Sequence, residues 1–88
     1  MPNFYVFDTY AKSAKGKIIH FDVILEEQNQ QKAMEYAQTW LDSMGINDAT
    51  INSNNCFFCH SVQELPIELA AEISDRGYAI YKLEGCPK

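Results

Sequence analysis

Cys56-Phe57-Phe58-Cys59-His60 puts two thiols and an imidazole within five positions, and Cys86 adds the third and last thiol of the chain. Three thiolates and one imidazole form a Cys₃His set, which suits a tetrahedral zinc ion. A second chemistry uses the pair as a redox dithiol, with Cys56 the attacking thiolate, Cys59 resolving the mixed disulfide and His60 activating its neighbour. A third follows from C-x-x-C-H being the attachment signature of c-type haem, which requires export and a maturation system. The fourth is structural: cysteine packs as a small hydrophobe, Phe57 and Phe58 anchor the turn, and His60 caps it. Two features weigh against the sharper readings. A tight metal-binding C-x-x-C turn favours glycine after the second cysteine, where this chain has His60. The segment after the motif, His60 to Pro66, does not open directly into a long helix whose dipole would lower a thiol pKa.

A second cluster comes from the N-terminal strands. Counting outward from the loop between them puts Asp8 opposite His20, with Asp22 two residues further along the same strand. A carboxylate there could orient the imidazole as general base or ligand, but a cross-strand charge pair on a solvated face is the favoured explanation. No nucleophile is placed beside it. Lys12, Lys15 and Lys17 form the basic spot and read as solvated loop residues. Met34, Trp40 and Met44 fall on a helix core stripe. No G-x-G-x-x-G, P-loop or H-E-x-x-H motif is present. No catalytic set is therefore assigned, and a binding role is favoured over an enzymatic one.

Six elements must position these groups. Phe4 to Tyr10 is dense in aromatic and β-branched residues, and Ile18 to Leu25 alternates with Ile19, Phe21, Val23 and Leu25 on one face. The polar stretch Ala11 to Lys17 joins them as a hairpin. Apolar residues spaced by three and four predict a helix over Gln31 to Met44, stopped by Gly45. Ala49 to Asn54 reads as a short edge strand. A second helix begins near Pro66, buries Ile67, Leu69, Ala70 and Ile73, and ends at Gly77. Tyr78 to Leu83 is the last strand. The order ββαβαβ predicts an α/β fold: a single compact two-layer domain over residues 1–88, with an N-terminal hairpin and two strand-helix-strand crossovers. If each crossover joins parallel strands, Cys56 and Cys86 follow strand ends on the same edge, with His20 at the opposite one.

Composition narrows the partners. The formal charge of −5 repels phosphate backbones and anionic lipid, so neither nucleic acid nor a membrane surface is expected. No basic leader or apolar h-region is seen, and no segment approaches the ~20 apolar residues of a membrane span. The expected setting is the reducing cytoplasm, where an odd cysteine poses no pairing problem. An open sheet face carrying Tyr and Phe would suit a homodimer or a protein partner.

Five blocks in order carry a resemblance: Val6 to Tyr10; His20-Phe21-Asp22; Tyr36-Ala37 with Trp40-Leu41; Cys56 to Ser61; and Gly77 to Cys86. Together they resemble a small bacterial family, the domain of unknown function numbered two thousand twenty-four. The resemblance covers nearly the whole chain and implies a compact cytosolic α/β domain with no established activity. Its motif residues correspond here to Asp8, His20, Asp22, Cys56, Cys59, His60 and Cys86, none with an assigned role. Asn52 to Asn55 depart from the more acidic residues of that pattern, which alters the local charge beside the thiols.

Overall fold

The computed structural model describes residues 3–84. Strand β1 (Phe4–Lys12) folds back onto β2 (Ile18–Leu25) as an antiparallel hairpin. The ladder continues two residues past the expected end of β1, because Ala11 is buried against the core and pairs with Ile19 while Lys12 pairs with Ile18. Gly16, at φ 83°, then closes a shorter loop in which Ser13 N–H donates to Lys17 O at 2.9 Å. The turn centre thus sits one residue later than expected, which shifts the pairing by two. Asp8 faces Asp22, and His20 faces Tyr10. A shift of two leaves every side chain on its original face.

Helix α1 (Gln30–Ser43) starts at Asn29, whose side chain accepts a hydrogen bond from Lys32 N–H at 3.1 Å. Its stripe of Ala33, Ala37, Trp40 and Leu41 is buried, with the Trp40 ring 4.7 Å from that of Phe21. Gly45, at φ 76°, follows the cap. The segment expected as a third strand makes only an isolated bridge between Thr50 and Lys12. Asn52 turns the chain instead: its side chain accepts from Asn54 N–H and its carbonyl from Asn55 N–H. The strand that does form, β3 (Cys56–Val62), is the Cys-Phe-Phe-Cys-His segment itself. Two consecutive aromatics favour a pleated surface, and they pair with Phe7 and Asp8 of β1.

Helix α2 (Ile67–Arg76) follows Pro66 and ends at Gly77 in the left-handed conformation. Ile73 is buried and Leu69 packs beside it, but Ile67 is 80% exposed, contrary to the sequence expectation. Its place in the first turn carries it off the core stripe. Strand β4 (Tyr78–Glu84) completes the sheet.

The strand order is β3-β1-β2-β4, with every neighbouring pair antiparallel. The element order ββαβαβ is as expected, and the domain is mixed α/β. The crossovers differ. β2 and β3 run parallel but are separated by β1, whereas β3 and β4 run in opposite directions on opposite edges. Cys56 shares a cross-strand row with Thr9, Phe21 and Lys82, so the thiol edge lies three strand spacings, about 14 Å, from β4. The expected meeting of the third and fourth strand ends on one edge does not occur. His20 lies at the same end of the sheet as Cys56, not the opposite one.

The two-layer expectation is also replaced. Phe7, Val23 and Ile80 join the α1 core, while their chain neighbours Val6, Ile24 and Ala79 join Ile73 of α2. Adjacent residues on a strand point to opposite faces, so the sheet is the middle of three layers. No helix among the described residues is long and apolar enough to cross a membrane.

Candidate functional site

The path of α2 explains why one half of a sheet face stays open. Val62 at the end of β3 and Tyr78 at the start of β4 lie at the same end of the sheet, opposite Phe4 and Leu25 respectively. The intervening chain need only travel from edge to edge at that end, where it covers Val6, Ile24 and Ala79. Among the described residues, no helix covers the other half of this face. There the row Phe57, Asp8, Asp22, Tyr81 crosses all four strands, with Tyr10 and His20 paired next to it. Phe57 and Tyr81, at its two ends, are 51% and 52% exposed.

Asp8, His20 and Asp22 each offer a ligand atom, and these atoms all lie within 4.8 Å of one another. His20 Nε2 hydrogen-bonds Asp8 Oδ1. The Tyr10 ring stacks on the imidazole at 4.1 Å between centroids and 10° between planes, which fixes its orientation. Burial, then a hydrogen bond to Asp8 and the charge of Asp8, pushes the Asp22 carboxyl up to about 6 against the opposing pull of His20 and His60. Two carboxyls directly opposed on neighbouring strands repel when both are ionised, which adds to the preference of Asp22 for a proton. Asp8 likewise pushes the Tyr10 phenol upward. The fold therefore holds two acids and an imidazole together on this half of the sheet face.

The cysteines part company. Cys56 is fully buried on the α1 side, 3.5 Å from Thr9 Oγ1. Burial pushes its thiol up, offset by Thr9 and reinforced by Asp8. Such a thiol is poorly suited to the attacking role the dithiol reading requires. Cys59 is exposed at a bulge in the β1–β3 ladder, with its Sγ 3.0 Å from His60 Nδ1. Cys86 lies outside the described residues, so the four-ligand set cannot be assembled from them. Among the described residues, the ligand group that does come together is Asp8, His20 and Asp22. Tyr10 and Tyr81 have no role in the sequence reading, and Phe57 figures there only as an anchor of an expected turn, whereas it pairs with Asp8 in β3. The alternation of β1 and β4 placed Tyr10 and Tyr81 on a face, but only the register shows which face position each shares.

No curated protein matches the chain. A solved structure that does is the NMR structure of protein NE1680 from Nitrosomonas europaea: 44% identical, covering 97% of this chain and 99% of that one, with a TM-score of 0.83. The fold described above is thus shared with a bacterial protein along nearly its full length. A family model described as a domain of unknown function, DUF2024, matches residues 2–83, and the chain belongs to that family.

Proposed function

We propose that this protein binds a divalent metal ion through Asp8, His20 and Asp22 on the open half of its sheet. The observation that carries the reading is the convergence of the three donor atoms within 4.8 Å, built from a directly opposed pair of carboxyls. Burial, the hydrogen bond to Asp8 and the charge of Asp8 lift the Asp22 pKa, and an ion of charge +2 would act against all three by favouring the ionised carboxylate. Two carboxylates and one imidazole suit zinc and also manganese or ferrous iron. Three protein donors leave coordination positions for water or a small anionic ligand, which is the ligand count of a working site rather than a structural clip. In the reducing cytosol the exposed Cys59 would stay a free thiol.

The experiment is titration calorimetry with zinc and with manganese on reduced protein, alongside elemental analysis of protein purified without a tag. One ion per chain is expected, with Asp8→Asn and His20→Gln each weakening binding at least about tenfold and Cys59→Ser leaving it unchanged. The second reading keeps zinc on Cys56, Cys59, His60 and Cys86, favoured by the 3.0 Å approach of Cys59 Sγ and His60 Nδ1. Under it the pattern reverses: Cys59→Ser abolishes binding and Asp8→Asn does not.

A further inference from the structure

We propose that the open face takes a small organic acid whose carboxylate bridges the metal ion and His60 and whose flat apolar body lies on the Phe57 ring. This rests on the metal site proposed above, whose three donors leave coordination positions open. The bulge in β3 supplies the geometry. It lies between the pairs Phe7–Phe58 and Val6–His60, and its extra residue, Cys59, puts Phe57 and His60 on one face although they are three positions apart. Strict alternation would send His60 to the face opposite Phe57. The face they share is that of Asp8, because Phe57 pairs with Asp8 and His60 with Val6, two residues along the same strand.

Charge fixes the side on which the acid settles. An ion of charge +2 balances the two aspartates, so the groups around them decide where an anion is held. The row of Tyr10 and His20 ends on β4 with Glu84, whose charge acts on the Tyr10 phenol. His60 stands at the diagonally opposite corner, on β3, and its charge acts on the Asp22 carboxyl. An anion on the ion is therefore pushed toward β3 and met there by an imidazole. When the Cys59 thiol donates to His60 Nδ1, 3.0 Å away, Nε2 carries the hydrogen and donates to one carboxylate oxygen while the other holds the ion. At the usual strand spacing β3 lies about 7 Å from the line midway between Asp8 and Asp22, a gap that an imidazole and a carboxylate span together.

The same strand supplies the rest of the recognition. Phe57 is half-exposed in the row of the two aspartates and pairs directly with Asp8, so its ring flanks the ion. Tyr81 ends that row on the other side with similar exposure, but it shares β4 with Glu84, and an acid lying over it would bring its anionic head toward that carboxylate. A flat ring on Phe57 gains offset or edge-to-face contact, whereas a bare anion such as acetate leaves Phe57 in water.

Titration of benzoate and of acetate into zinc-loaded protein tests this, with affinities read from amide shifts and occupancy checked at one ion per chain by elemental analysis. Benzoate should bind at least about tenfold more tightly than acetate and shift the amides of Phe57 and His60 most. Phe57→Ala should remove that preference, and Tyr81→Ala should keep it. His60→Ala should weaken both acids about tenfold while the preference persists. All three positions are exposed, so the variants should keep the wild-type circular dichroism. Equal affinities for the two acids, equal binding to metal-free protein, a preference that survives Phe57→Ala or vanishes in Tyr81→Ala, or His60→Ala either without effect or stripped of zinc would each overturn the proposal. Wild-type protein that takes up no zinc would overturn the metal site beneath it as well, so the two failures are told apart.

Discussion

The two faces of one sheet are built from the same strands and do opposite things. On the α1 face, Phe7, Phe21, Val23 and Leu25 are all but inaccessible and fill a continuous core with Trp40 and Leu41. On the other face, one residue along in each strand, the half away from α2 carries Asp8, His20 and Asp22 instead. The first arrangement lowers the free energy of the fold through burial of apolar area. The second raises it by pressing two carboxyls together. Stability and the candidate site are thus separated by a single step along the backbone, whereas under α2 both Val6 and Phe7 of β1 and Val23, Ile24 and Leu25 of β2 are buried.

The largest effect should come from breaking the covered side. Phe21→Ala removes a fully buried ring that packs on Trp40, and a loss of about 3–5 kcal/mol is expected in urea unfolding. On the open side the sign reverses. The Asp22 carboxyl rises from 3.8 to about 6, so between those values the folded state holds more protons than the unfolded one. That contribution is fully present below about pH 4 and is lost as pH rises through 6. Asp22→Asn escapes the loss. The full difference would be about 3 kcal/mol, but the side chain is only half-buried and screened by water, so a gain of about 1 kcal/mol at pH 7 is expected, vanishing near pH 4. A destabilised Asp22→Asn protein at pH 7 would mean that the two acids support the fold rather than strain it. Smallest of all, Tyr81→Ala at the exposed end of the row should change stability by less than about 0.5 kcal/mol. If it weakens metal binding all the same, the aromatic flank belongs to the site.

Much of this was legible in the sequence where local rules dominate. Both helices appear within a residue or two of their expected bounds because Gly45, Pro66 and Gly77 mark ends by backbone chemistry alone. Asp8, His20 and Asp22 were grouped despite a register off by two, since period two conserves the face. The cysteine segment was misread as a turn because its motif suggested one, whereas tertiary pairing with β1 makes it a strand. Sheet order was not legible either. Both crossovers contain a helix, and nothing local distinguishes the one joining parallel strands from the one joining antiparallel edges. That second crossover decides which half of the face α2 leaves bare.

The bareness of that half has a kinetic meaning. Asp8, His20 and Asp22 sit on a broad pleated surface, not at the foot of a cleft, and no helix has to swing aside for an ion to arrive or depart. Exchange there would be governed by the lability of the bonds to two carboxylates and an imidazole, free of the microsecond-to-millisecond motions that gate enclosed sites. Such a surface can also be approached by something as large as another protein, so an ion held on it could pass directly from one set of donors to another without first being released into water.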